Sequence, residues 1–294
     1  GCITDDTIIF EDSIVGRIAA IDSKATLIKV KNRRDLDLDK IEKAVTILLS
    51  NKGSWKESNL NVLIPMAGAG SRFAEAGYAF PKPLIDVHDK PMIQAVVDNL
   101  AIEATYTYIV QKSHFEKYNL SYLLNAITPN CNIVQVDGVT EGAAVTCLLA
   151  KEFINNDEPL VMANSDQIVD WNSREFLYEM HSKNADGGIA TFKSTHPKWS
   201  YAKVNELGLV TEVAEKKPIS DDATVGIYYW KHGSDFVKYA EQMIEKDIRV
   251  NGEFYTCPVF NEAIGDGKQV YTTTVNKMWG IGTPEDLNYY LSNK

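Results

Sequence analysis

Three charged side chains of this 294-residue sequence stand where phosphate chemistry could use them. Arg72 closes the run Gly68-Ala69-Gly70-Ser71-Arg72, Lys82 lies in Pro81-Lys82-Pro83-Leu84, and Asp166 lies in Asn164-Ser165-Asp166-Gln167. Paired glycines let a backbone approach a phosphate chain with its N–H groups turned inward, and an Arg adds a bidentate, charge-assisted grip. A carboxylate emerging at the carboxyl end of a strand is suited to holding Mg²⁺ beside such phosphates. Taken singly, each feature has a plainer use: a GxG turn ends many strands, and an Asp after a strand often caps a turn or helix. The first run is not the dinucleotide fingerprint, because Phe73 stands at the third glycine, and it is not a P-loop, because no Gly-Lys-Ser/Thr follows.

These residues need elements to present them. The apolar run Val62-Leu63-Ile64-Pro65-Met66 reads as a strand ending at the glycine-rich turn, and Leu160-Val161-Met162-Ala163 reads as the strand that delivers Asp166. Further strands are expected at 105–110, 132–136, 187–192, 202–204, 224–230 and 269–274. Helical periodicity predicts helices at 92–101, 142–153, 173–183, 233–245 and 284–291. Alternation of strands and helices makes this an α/β fold with a mainly parallel sheet. Ahead of it, residues 7–10, 14–22, 26–30 and 37–49 read as a small β-α-β-α extension, too small to cover both faces of two parallel strands. The polar stretch Asn51 to Asn59 marks the boundary, giving domains 1–58 and 59–294.

Composition narrows the function. Hydrophobic residues make up 45% and charged residues 24%, which suits a folded core. Lys plus Arg is 30 against 40 for Asp plus Glu, and the net charge of −10 argues against general affinity for nucleic acid or anionic membrane. Any phosphate must therefore be held locally. The four Cys at 2, 131, 147 and 257 form no CxxC, so reduced buried thiols in a cytoplasmic protein are expected. No apolar stretch is long enough for a membrane span and no signal peptide opens the chain, although its start at Gly-Cys suggests a beginning inside a longer protein.

The pairing of GxGSR with PKPL resembles the signature of sugar-1-phosphate nucleotidyltransferases and their phosphocholine cytidylyltransferase relatives, over residues 61 to 294 or so. The resemblance implies a Rossmann-like, GT-A-type fold with a mixed sheet, Mg²⁺ as cofactor, and two partners, a nucleoside triphosphate and a phosphorylated small-molecule acceptor. It places Ala67 to Arg72 on the triphosphate, Lys82 between the α-phosphate and the attacking phosphate, and Asp166 on the metal. Thr140, Gly142 and Ala143 resemble the family's base-recognition segment. Glu215-Lys216-Lys217-Pro218 and Val225-Gly226-Ile227-Tyr228 resemble its acceptor elements, so Glu215, Lys217 and Gly226 are expected at the acceptor, with Glu253 beside them.

Met278-Trp279-Gly280-Ile281-Gly282-Thr283 resembles the family's closing segment, but the Asp that gives many relatives a second metal ligand falls on Gly280 or Ile281. Asn276 or a nearby acid could substitute, or Asp166 could act with phosphate oxygens alone. Trp199, Tyr201, Tyr228, Tyr229, Trp230 and Tyr255 read as core aromatics, with a cation-accepting box as the other reading. The five His carry no assigned role. Ile8-Ile9-Phe10-Glu11-Asp12-Ser13 with Gly16 resembles the last motif of haloacid dehalogenase-like phosphatases. The nucleophilic Asp of such enzymes is absent, so no phosphatase activity is expected. The reading is therefore a nucleotidyltransferase that makes an activated precursor for a surface glycan or lipid. A glycosyltransferase of similar fold and a non-catalytic nucleotide-binding module are the rivals, and base, acceptor and oligomeric state stay open.

Overall fold

The computed structural model describes residues 7–49 and 59–294, which divide into two units. In the first, β1 (Ile8–Glu11), α1 (Ile14–Asp22), β2 (Thr26–Lys29) and α2 (Leu38–Leu49) follow the order read from the sequence. β1 and β2 pair in parallel, with Ile8 opposite Thr26. Ser13 caps α1 by accepting a hydrogen bond from the Gly16 N–H. Residues Asn172–Ala185 group with this unit and not with the chain around them. The helix they contain supplies Tyr178, whose hydroxyl accepts from Leu27 N at 2.6 Å and donates to Leu27 O at 3.0 Å. Both main-chain groups of Leu27 are thereby satisfied, and Tyr178 joins Ala20, Ile21 and Leu27 in a small core. The helix that the periodicity predicts at 173–183 thus belongs with the piece that looked incomplete. Cys2 and residues 51–58 of the expected linker lie outside the described residues.

The second unit begins with β3 (Asn61–Pro65), α3 (Ser71–Glu75), the short strands β4 (Asp86–Val87) and β5 (Lys90–Pro91), and α4 (Met92–Leu100). It continues through β6 (Thr105–Gln111), α5 (Lys112–Tyr118), α6 (Leu120–Ile127), β7 (Asn132–Val136), α7 (Ala143–Leu148), α8 (Lys151–Ile154), β8 (Leu160–Ala163) and β9 (Gln167–Asp170). After the excursion of the helix α9 (Ser173–Ser182) come β10 (Gly187–Lys193), β11 (Ser200–Val204), β12 (Val210–Glu215), β13 (Asp222–Trp230), α10 (Gly233–Glu245), α11 (Val259–Gly265), β14 (Val270–Thr274), β15 (Lys277–Gly280) and α12 (Pro284–Leu291).

The main sheet runs β12-β11-β13-β8-β3-β6-β7, with β10 pairing β13 and β14. The block β8-β3-β6-β7 is parallel, whereas β13 runs antiparallel to β8 and β11 antiparallel to β12. Val62, Leu63 and Ile64 are fully buried, as a central strand covered on both faces requires. Because β8, β3, β6 and β7 are parallel, their carboxyl ends open on one edge, the place where open α/β sheets receive ligands. This is the α/β architecture, Rossmann-like with a mixed sheet, that the sequence predicts. The helix expected at 142–153 is instead two short helices, α7 and α8, and α3, α5, α6, α11, β4, β5, β9, β12 and β15 have no counterpart among the expected elements. Cys131, Cys147 and Cys257 are free thiols, the last two buried. No helix among the described residues is long and apolar enough to cross a membrane.

Candidate active site

A cleft of about 850 Å³ opens at the carboxyl edge of the parallel block, entirely within the second unit. β3 ends at Pro65, and Ala67, Gly68 and Ala69 of the following turn line the cleft. Gly70 adopts a left-handed backbone with φ of 62°, and an added Cβ there would lie 3.2 Å from the Lys82 Cβ. The glycine-rich run and the PKPL turn therefore touch at one point, and a side chain on Gly70 would push against the Lys82 stem. Gly70 and Ser71 do not line the cleft, contrary to the expectation: Gly70 accommodates Lys82 and Ser71 opens α3. Arg72, one residue into α3, does line it.

Lys82 and Asp166, 84 positions apart in sequence, meet in this cleft, with Lys82 Nζ donating to Asp166 Oδ2 at 2.9 Å. Both side chains are largely shielded, at 18% and 28% exposure, so the pair feels less solvent screening than a surface bridge. On the other side, the 280s fix the Asp166 main chain and lie against its carboxylate. Ile281 N–H donates to Asp166 O at 3.0 Å, and a Cβ on Gly282 would lie 2.5 Å from Asp166 Oδ2. Gly282 is thus a glycine that Asp166 requires.

The loops after β6 and β7 complete this side. Gln111 Nε2 donates to Ala67 O at 2.6 Å and to Gly138 O at 2.7 Å, tying the glycine-rich turn to the 138–143 loop. Thr140, Gly142 and Ala143 line the cleft as expected. The reason for Gly142 is a different one from base packing alone. Its φ is 131°, and a Cβ would sit 2.4 Å from Phe254 O, because Ala144 N–H bonds Phe254 O and Phe254 N–H bonds Glu141 O. The main chain at 254 packs where a side chain would be.

Across Asp166 the lining changes character. Gly226, Glu215 and Glu253 are in the wall as expected. Lys217 is not. It is exposed on the turn, and Lys216, at a φ of 54°, turns into the cleft instead, donating to the Tyr255 hydroxyl with its Nζ 4.5 Å from the ring centre. Ser200 and Glu215 pair across the β11–β12 ladder, and the Ser200 hydroxyl donates to the Glu215 carboxylate. Burial raises the Glu215 pKa above its ordinary value. The aromatic residues divide. Tyr201, Tyr229 and Trp230 are core, while Trp199, Tyr228 and Tyr255 reach the cleft.

Gln111, Gln167, His196, Lys198 and Asp286 also line the cleft, and the sequence assigns none of them a role. Asp286 offers itself near the position of the missing second carboxylate: a Cβ on Gly280 would lie 3.6 Å from Asp286 Oδ2. Its carboxylate already faces Lys198 Nζ at 3.4 Å. Asn276 does not line the cleft, and its N–H bonds Asp170 O. Asp170 is outside as well, tied to Trp279 Nε1 and Lys294 Nζ. Among the described residues no group of three His, Cys, Asp or Glu could hold a metal.

The Nucleotidyl transferase family profile matches residues 61–291. The chain belongs to that family. It is 28% identical over 227 residues to a low-salt glycan biosynthesis nucleotidyltransferase of Haloferax volcanii, covering 75% of this chain and 62% of that one. It is 26% identical over 228 residues to a UTP–glucose-1-phosphate uridylyltransferase of Escherichia coli, covering 67% and 72%. This chain spans less than two thirds of the length of the Haloferax relative. Its fold is that of a nucleoside-diphosphate-sugar pyrophosphorylase from Vibrio cholerae, with a TM-score of 0.69 at 23% identity over 79% of this chain and 100% of that one. The family match begins at residue 61, so the likeness of the first 50 residues to a phosphatase motif rests on that motif alone.

Proposed function

We propose that this chain transfers a nucleoside monophosphate from a nucleoside triphosphate to a phosphorylated small metabolite, a sugar 1-phosphate in the first instance, and releases pyrophosphate. The observation that carries this reading is the meeting of Lys82 and Asp166 at 2.9 Å beside a glycine-rich turn, in one cleft with Arg72. An oxygen of the acceptor phosphate forms a bond to the α-phosphorus, and the bond from that phosphorus to the bridging oxygen breaks, its electron pair leaving with pyrophosphate. Two anions must approach each other, so positive charge at their junction lowers the barrier. Lys82 is proposed for that task, and Arg72 with the N–H groups of Ala67 to Ala69 for gripping the leaving phosphates. No covalent intermediate on the protein is required, because the acceptor is already a nucleophilic anion.

The donor set suits Mg²⁺. Asp166 gives a hard, partly shielded oxygen ligand, and Mg²⁺ commonly takes one or two carboxylates with phosphate oxygens and water. When bound, the ion would neutralise phosphate charge. With Asp166 on the ion, Lys82 would be free to bond phosphate. Thr140, Gly142 and Ala143 are proposed to face the base, and Glu215, Gly226 and Glu253, with Lys216 in place of Lys217, the acceptor.

The test is pyrophosphate release from a matrix of the common triphosphates against glucose 1-phosphate, mannose 1-phosphate and phosphocholine. Release that requires both partners and Mg²⁺ is expected for at least one pair. Triphosphate binding without release across the whole matrix would instead favour a non-catalytic module, and consumption of a nucleotide sugar would favour a glycosyltransferase. The amino-terminal unit we read as a phosphatase-like tail without catalysis. Glu11 ends β1 and Asp12 follows it, yet the Glu11 carboxylate is taken by Ser13. Phosphate release from a generic phosphomonoester at enzyme-like rates would overturn this.

A further inference from the structure

Among the acidic side chains that line the cleft are Asp166, Glu215, Glu253 and Asp286, and the scheme above uses all but the last. Asp286 faces Lys198 Nζ with both carboxylate oxygens, at 3.4 and 3.5 Å. Its side chain is 35% exposed, so it can be reached from the cleft.

The main chain brings Asp286 beside Asp166. Thr283 caps α12 by accepting from the Asp286 N–H at 3.1 Å, which fixes the Asp286 backbone in the first helical turn. The strip Gly280-Ile281-Gly282 leads up to that cap. Ile281 is fully buried, and its N–H holds Asp166 O at 3.0 Å. A Cβ on Gly282 would lie 2.5 Å from Asp166 Oδ2, and one on Gly280 would lie 3.6 Å from Asp286 Oδ2. Each carboxylate thus rests against a residue without a side chain, and two residues of chain span at most about 7 Å. The two glycines leave a cradle that the two acids border.

The acids share a second trait. In the free protein each is matched by a lysine, Asp166 by Lys82 and Asp286 by Lys198. Two carboxylates bordering one cradle repel each other unless countercharge is present, and a divalent cation supplies it for both at once. The Lys198 bridge is the weaker of the two, with its partners 44% and 35% exposed, and an ion pair so open to water is worth little. A cation can therefore displace Lys198 at small cost. One or two carboxylates, completed by phosphate oxygens and water, are the ligand set that Mg²⁺ takes.

We propose that Asp286 is a second protein ligand of Mg²⁺ in this cleft, sharing the ion with Asp166, and that Lys198 holds its place in the metal-free protein. This deepens the transfer reading and rests on it.

The experiment uses Mn²⁺ as the probe. It measures the affinity of the whole chain for the α,β-methylene analogue of whichever common triphosphate binds wild type most tightly, with EDTA and then with Mn²⁺. A concentration of about 0.5 M KCl screens through-space attraction. The quantity read is the gain in affinity that Mn²⁺ confers. Asp286→Asn should cut that gain about tenfold and leave the affinity in EDTA within about twofold. Adding Gly280→Asp to Asp286→Asn should recover most of the gain, because a Cβ at 280 meets only ordinary contacts, at 3.6 and 3.7 Å, and directs a carboxylate to the same cradle. Ligand-free thermal unfolding checks that each variant is folded. An undiminished gain in Asp286→Asn overturns the proposal. So does an equal loss of affinity with and without Mn²⁺, the mark of a merely structural Asp286, and so does a folded double variant without recovery. None of these touches the transfer reading. A wild type with no Mn²⁺ gain overturns the proposal alone if it still releases pyrophosphate, and overturns both readings if it releases none with any pair.

Discussion

The two flanks of the cleft are built by different means. The proposed nucleotide side hangs from β3, β6 and β7 and relies on main chain: a glycine-rich turn, Gly142 pressed against the backbone of residue 254, and one Gln that ties the loops together. The proposed acceptor side is assembled from side chains on β9, β11, β12, β13, β15 and the 253–256 turn, among them Glu215, Lys216, Gln167 and Tyr255. A phosphate chain has the same shape in every triphosphate, so backbone N–H groups and short glycine runs suffice for it. An acceptor is chemically particular, and side chains from separated strands are needed to recognise it.

Lys82→Ala tests the junction of the two sides and should have the largest effect. Turnover is expected to fall on the order of 10²-fold or more, as when a transition-state charge stabiliser is removed. The fold should be retained, because Lys82 is a partly exposed cleft residue. A folded Lys82→Ala protein with normal turnover would sink the assignment. Gly142→Ala probes the backbone design of the nucleotide side. At a φ of 131°, with Phe254 O 2.4 Å from the new Cβ, it should lose about 2 kcal/mol of stability, read by denaturant unfolding. Gly68→Ala is the control. Its Cβ meets nothing within 4 Å, so stability should be unchanged, and any effect should appear in triphosphate KM.

This contrast explains what the sequence made legible. The strands β3 and β8 are continuous apolar runs, and the motifs at their ends are contiguous, so Arg72, Lys82 and Asp166 could be named before any geometry was known. The βαβα order of the first unit was equally local. The helix Ser173–Ser182 that completes it comes from far along the chain, and no periodicity reports which neighbour a helix will find. Lys216 and Lys217 are identical residues on adjacent positions, and the backbone at Lys216 decides which of them enters the cleft. Gln167 closes the run Asn164-Ser165-Asp166-Gln167, but nothing in that run marks it out beside Asp166. Its amide nitrogen has no partner among the described residues, a signal that exists only once the fold has closed around it.

The two lysines sharpen the comparison further. Lys216→Ala should raise the acceptor KM about fivefold, the scale of one exposed charge contact, with triphosphate KM unaffected. Lys217→Ala should leave both unchanged, and the reverse pattern would return the role to the position that the family resemblance indicates.

The smallest expected effect concerns Glu215, whose pKa is raised chiefly by burial and only partly offset by the Ser200 hydroxyl. For a carboxyl whose folded value lies above its unfolded one, the native state binds the extra proton. Its favourable contribution is therefore complete below the unfolded value of 4.5 and is lost as pH rises through the folded value. Above its raised pKa the carboxylate carries its charge in a partly desolvated wall, at a cost to stability. Glu215→Gln removes that charge while keeping the shape. Its Tm should exceed wild type at pH 7 by roughly 1–3 °C, and the gap should close as pH falls toward 4. The same variant should bind its acceptor more weakly if Glu215 receives hydrogen bonds from acceptor hydroxyls, a loss of function accompanying a gain in stability. A Glu215→Gln protein that is less stable than wild type at pH 7 would mean that the Ser200 hydrogen bond outweighs the cost of burying the charge, and the acceptor side would then be as self-sufficient as the nucleotide side.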